Sequence, residues 1–187
     1  MVQNIKLIRS DRRTISLEIT PAGQVVVRAP RHMSEAEIRR FVDSKSSWLA
    51  KYLQKRLEDV DSLQTEGSFT EQEIERMVKL AKQVIPEKVA YYARVMGVSY
   101  GRISIRKQKT RWGSCSREGN LNFNCLLMMA PPEVLDYVVV HELSHRLEMN
   151  HSARFWAQVE KAIPDYRAPR KWLKEHGGKL MMRMHGE

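Results

Sequence analysis

The sequence has little of what would take it out of the ordinary globular class. It holds two cysteines in 187 residues, Cys115 and Cys125. That is too few for a secreted disulfide scaffold and fits two reduced thiols in a reducing cytosol. No apolar run reaches membrane-spanning length, and Met1 to Ser10 hold no signal-type apolar core before Asp11, Arg12 and Arg13. A cytoplasmic protein without a membrane segment is expected. There is no internal repeat and no low-complexity stretch, which excludes collagen-like and coiled-coil readings. Negative charge is also short: 22 acidic residues stand against 32 basic ones, a net charge of +10. The imbalance is steepest in 101–130, with six basic residues and one acidic. Such a surface favours anionic partners, so a nucleotide substrate or association with nucleic acid is one expectation. What is present in quantity is apolar material, 42% of residues, enough for a buried core without covalent staples.

The patterning is that of an α+β chain. Ile15, Leu17 and Ile19 alternate with polar residues, and Val25, Val27 and Ala29 continue the period after Pro21-Ala22-Gly23, which predicts a β-hairpin. Ser34 and Glu37 form a capping box ahead of one helical stripe running from Ile38 to Leu53. Asp61 to Ser68 is a polar connection. A second box, Thr70 with Glu73, opens a helix that Pro86 is expected to kink or split. Period two returns at Ile103 and Ile105 and again at Leu121, Phe123 and Cys125, with a hairpin-like turn at Arg117 to Asn120 between them. Pro131-Pro132 starts a helix apolar enough to be central. Further helices are expected from Ser152 to Ile163 and from Pro169 to His176, the last ending at Gly177-Gly178.

The chemistry sits in the central helix, as His141-Glu142-Leu143-Ser144-His145. Residues four apart share a helix face, so two imidazoles at that spacing reach one metal ion while the intervening glutamate holds its water. A catalytic zinc site needs a third protein ligand and an open position. Glu148 lies about 10 Å along a continuous helix from His141, too far to converge. His151 returns to the metal if the helix ends first, and Asn150 and Ser152 are a ready C-terminus and N-cap. His151 is therefore the expected third ligand and Glu148 a supporting or exposed carboxylate. His32, His176 and His185 are expected to be solvated or structural.

Arg111-Trp112-Gly113-Ser114-Cys115, Leu121 to Asn124, the His141 to His145 motif and Asn150 to Trp156 occur in this order. With these motifs the chain resembles the YgjP-like metallopeptidases, relatives of the SprT-type and WLM-type zincins. The resemblance implies a minimal zincin core, a small antiparallel sheet packed by helices with the His141 helix central, over residues 67–187. Residues 1–66 would be a hairpin-and-helix extension, the two parts making one compact unit. It also implies one zinc per chain held by His141, His145 and His151, with Glu142 as catalytic base. The expected activity is metal-dependent hydrolysis of the metallopeptidase type. A nucleoside-triphosphate pyrophosphatase is the alternative, and a nucleic-acid-associated zinc module a second. Gly113 permits close backbone approach beside Trp112. Lys107, Lys109 and Arg111 are candidates to face an anionic substrate, and Tyr166 and Arg167 candidate transition-state donors.

Overall fold

The structure, a computed structural model, describes residues 5–20, 24–54 and 66–185. The chain divides into two units, one running to Thr65 and the other from Glu66 to Gly186, each with its own apolar cluster.

In the first unit, strands β1 (Ile5–Ser10), β2 (Ser16–Ile19) and β3 (Val25–Pro30) form a sheet in the order β1-β3-β2. The hairpin partners β2 and β3 pair antiparallel, as the alternation predicts. Strand β1 pairs parallel to β3 and has no counterpart in the sequence reading, because its apolar residues Ile5 and Leu7 lie exposed on a sheet edge. The unbroken run Val25, Val26 and Val27 is buried throughout, as a central strand requires. The turn at Pro21-Ala22-Gly23 lies outside the described residues. Ser34 caps α1 (Glu35–Ser44), and the Glu37 carboxylate accepts from the Ser34 backbone at 2.8 Å. The expected single stripe is interrupted at Lys45 (φ −106°, ψ 4°), beyond which 46–54 are helical. The break resets the helical phase: Leu49 is buried while Trp48 and Tyr52 are exposed. Of the polar connection at Asp61 to Ser68, the part up to Thr65 lies outside the described residues.

The second unit opens with α2 (Glu71–Met96), capped by Thr70 and Glu73 in a reciprocal box. Met77, Ala81, Ile85, Val89 and Ala93 recur every four residues and form its buried stripe. The helix passes through Pro86 without a break, contrary to expectation. Proline there removes only the bond to the carbonyl of Lys82, an exposed residue, so water can satisfy that group. Gly97 ends the helix in the left-handed region (φ 66°), where Gly97 and Val98 donate back to Arg94 and Ala93.

Strands β4 (Ile103–Arg106), β5 (Gly113–Cys115) and β6 (Leu121–Asn124) follow, in the order β4-β6-β5. The two alternating runs do not form a hairpin with each other. β4 and β6 pair parallel, Ile103 opposite Leu121, and the hairpin joins β5 to β6, Gly113 opposite Phe123. The sheet is thus mixed rather than wholly antiparallel. Buried Asn124 sets this path: its side-chain N–H groups donate to the carbonyls of Gln108 (2.7 Å) and Arg111 (3.0 Å), tying down the loop that returns the chain as β5.

A short 3-10 turn (Cys125–Met129) leads to α3 (Pro132–Ser144), whose buried residues include Val134, Leu135, Val138, Val139 and Leu143. It packs against α2, against β5, and against α4 (Ala153–Ala162) and α5 (Arg167–His185). Lys88 of α2 meets Asp136 of α3 at 2.8 Å. Helix α5 does not stop at Gly177-Gly178. Gly177 is buried, and a Cβ there would lie 3.0 Å from the Trp112 ring. The glycine permits helix-to-indole contact and is not a terminator. Among the described residues no helix is long and apolar enough to cross a membrane.

Candidate metal centre

Tyr137, His141 and His145 occupy one stripe of α3, at steps of four. The helix ends at Ser144, with His145 still in right-handed geometry as its C-cap, so His141 and His145 stay one turn apart. The chain leaves the helix earlier than the break expected at Asn150. At the departure the main chain tightens, Arg146 N–H donating to Leu143 and Leu147 N–H to Ser144, while the Arg146 guanidinium donates to the carbonyls of Ser99 (3.0 Å) and Arg117 (2.8 Å) and packs under Gly119, which sits at φ 87°. Ser152 then caps α4 by accepting from Phe155 N–H, and His151, just before it, is turned back toward α3.

The three imidazoles form a near-regular triangle, with ring centres 5.2 Å apart for His141–His145 and 4.9 Å for both pairs involving His151. Fully buried Phe155 lies against all three, its ring 4.9 Å from His141 and 4.7 Å from each of the others. One nitrogen from each imidazole falls within 4.8 Å of the other two, and the Nε2 atoms of His141 and His151 stand 3.0 Å apart. Two nitrogens bound tetrahedrally at about 2.0–2.1 Å from one ion would be roughly 3.3 Å apart, so the observed edge is near the spacing such an ion sets. His145 Nδ1 lies 3.2 Å from the Glu148 carbonyl. A carbonyl only accepts, so Nδ1 carries the hydrogen and Nε2 keeps its lone pair for a metal.

Burial, followed by the proximity of His145, His151 and Arg170, lowers the His141 pKa to about 3. Burial likewise lowers His145. Both rings are neutral at pH 7, the form that binds metal. Beside them Glu142 is 5% exposed. Burial pushes it up to about 8, opposed by the nearby Arg111 guanidinium. Strand β5 covers this carboxylate directly: a Cβ on Gly113 would stand 2.6 Å from Glu142 Oε1.

The raised Glu142 pKa has a measurable consequence in the metal-free protein. The folded state holds a proton on Glu142 that the unfolded state gives up above its ordinary 4.5. The associated stability is full below pH 4.5 and is lost as pH rises through 8. Urea unfolding of chelator-treated protein should therefore find Glu142→Gln gaining on wild type by on the order of 4 kcal/mol between pH 5 and 9. Parallel pH profiles would mean that Glu142 is ionised in the fold.

The other residues singled out by sequence are placed as follows. Arg111 is exposed two residues ahead of β5, with its charge acting on Glu142. Lys107 and Lys109 are exposed in the same loop, and Lys107 acts on Cys125 instead. Tyr166 is buried and stacks on Trp156 (5.4 Å, 18°), one aromatic layer behind the histidines. Arg167 turns out to Glu160 at 3.5 Å, with its side chain 75% exposed. Glu148 supports His145 through its main-chain carbonyl, not its carboxylate. Sequence reasoning missed Tyr137, whose ring is 5.8 Å from His141 and whose four-residue step to His141 was a readable signal. It also missed Arg170, which local sequence does not mark.

The model of the YgjP-like family, described as a metallopeptidase domain, matches residues 13–76 and 62–176. The chain belongs to the YgjP-like family. No curated protein matches this YgjP-like chain. Among solved structures it is similar to the metallopeptidase zymogen abylysin of Pyrococcus abyssi, with 22% identity and a TM-score of 0.44 over 49% of this chain and 94% of that one. It is also similar to the zymogen jannalysin of Methanocaldococcus jannaschii, with 22% identity and a TM-score of 0.42 over 48% and 91%.

Proposed function

We propose that the chain is a zinc-dependent metallopeptidase, binding one zinc through His141, His145 and His151. The observation that carries this reading is the convergence of three imidazoles beside one buried carboxylate, on a chain of a metallopeptidase-domain family. Three nitrogen donors leave a position open, as catalytic zinc sites require. When bound, zinc supplies Lewis-acid chemistry, acidifying water and polarising a carbonyl oxygen. Glu142 accepts the proton of the attacking water on its carboxylate and passes it to the departing amide nitrogen. Phe155 and Trp156 exclude bulk water from one side of the histidines. Strand β5 is the outer strand in the order β4-β6-β5, so an extended peptide can add along its far edge and bring a scissile carbonyl past Gly113 to Glu142. We place the protein in the cytoplasm, where the free thiols Cys115 and Cys125 stay reduced. The nucleotide pyrophosphatase alternative draws no support from the comparisons.

Metal stoichiometry tests the ligand set. His151→Ala should lower bound zinc well below one per chain after dialysis, whereas Glu148→Ala, which keeps the carbonyl that orients His145, should stay near one. The reverse outcome would make the Glu148 carboxylate the third ligand.

A further inference from the structure

Arg170 lies in the first turn of α5, its guanidinium carbon 4.3 Å over the ring of Trp156. That indole borders the metal centre, its ring 5.8 Å from His141 and 5.9 Å from His151. Arg170 is exposed, and among the described residues no carboxylate lies within ion-pair distance of it. Its neighbours in the same helical turn behave differently: Arg167 pairs with Glu160 and Lys171 with Glu175. Arg111 is likewise exposed, and among the described residues no carboxylate lies at ion-pair distance from it. The charge of Arg170 reaches His141 and Tyr137, and that of Arg111 reaches Glu142. Arg170 thus stands on the Trp156 ring beside the histidines, while Arg111, two residues ahead of β5, acts on Glu142.

A guanidinium held with its carbon over an indole ring keeps edge N–H donors that the ring does not use. That edge is the geometry that binds a carboxylate through two parallel hydrogen bonds. We infer that Arg170 is a specificity-determining residue that takes a carboxylate of the peptide substrate beside the scissile bond. The inference rests on the metallopeptidase reading and names its substrate class, peptides with a negative charge close to the cleavage site. Two sources supply that group, an acidic side chain or a free C-terminus. Both present the same fork of oxygens to Arg170.

The test is made on the zinc-loaded Glu142→Gln protein, so that binding is read without cleavage. Calorimetry compares four short peptides of one core sequence: one with an internal glutamate and an amidated C-terminus, one with glutamine there and a free C-terminus, one neutral at both, and one with an internal lysine. One of the two anionic peptides should bind about 10- to 100-fold tighter than the neutral one, as a charge-assisted hydrogen bond implies. The preferred peptide identifies the source. Adding Arg170→Met should erase that preference while leaving the neutral peptide's affinity unchanged, and Arg170→Lys should restore part of it. A residue that only packed on Trp156 would weaken all four peptides equally in Arg170→Met, and that result overturns the inference. Equal binding of the neutral and anionic peptides by the Arg170-bearing protein overturns it as well, while leaving the metallopeptidase reading in place. If the wild-type enzyme cleaves none of the four nor unfolded protein, that reading falls and the inference with it.

Discussion

Glu142→Gln should retain a full complement of zinc and lose about 10²- to 10⁴-fold in peptide turnover, the range for removing a general base. Glutamine keeps the shape of the side chain and the packing under β5, so the fold and the three imidazoles are undisturbed. What it cannot do is accept a proton. Burial pushes Glu142 up to about 8 in the metal-free fold, and zinc held by the adjacent histidines would favour its ionised form, the one that accepts a proton from water. The check is zinc content and turnover on the same preparation. A variant with full zinc and near-normal turnover would assign the proton transfer to another group, and a variant without zinc would give Glu142 a role in holding the metal.

Gly113→Ala should cost about 100-fold in kcat with zinc content and fold retained. The added methyl carbon would stand 2.6 Å from Glu142 Oε1, 2.7 Å from Cγ and 2.9 Å from Cδ, so the carboxylate must move. Gly113 does not have a positive φ, and alanine therefore meets no backbone strain there. The damage is confined to the position of the base, and misplacing a catalytic group by about 1 Å is worth about two orders of magnitude. Turnover on an unfolded protein, with metal content measured in parallel, decides it. Activity within threefold of wild type would mean that the Glu142 side chain is free to shift without consequence.

Where function could be read ahead of structure, the signals were local. The His141–His145 step, both capping boxes and the Ser152 cap depend on residues within one or two turns, and the structure carries each of them. What escaped depends on contacts distant in sequence. Strand β5 is three residues long and holds no apolar alternation, so alternation alone pairs the runs of β4 and β6, whereas the hairpin's first strand is Gly113–Cys115. Gly177 looked like a helix stop, yet its reason for being glycine is a tryptophan ring 65 positions earlier. Pro86 looked like a break, but the carbonyl it orphans belongs to an exposed residue. Arg170 joins the site only because α5 brings it over Trp156, whereas Arg167, three residues before it and a candidate donor in the sequence, faces Glu160.

The most direct measurement is cleavage of an unfolded protein by the zinc-loaded chain, repeated after chelation and again after zinc is restored, with nucleoside triphosphates as a parallel substrate. Peptide-bond cleavage that disappears with the chelator and returns with zinc is the predicted result. Cleavage indifferent to the chelator, or triphosphate hydrolysis with the unfolded protein left intact, would contradict the assignment.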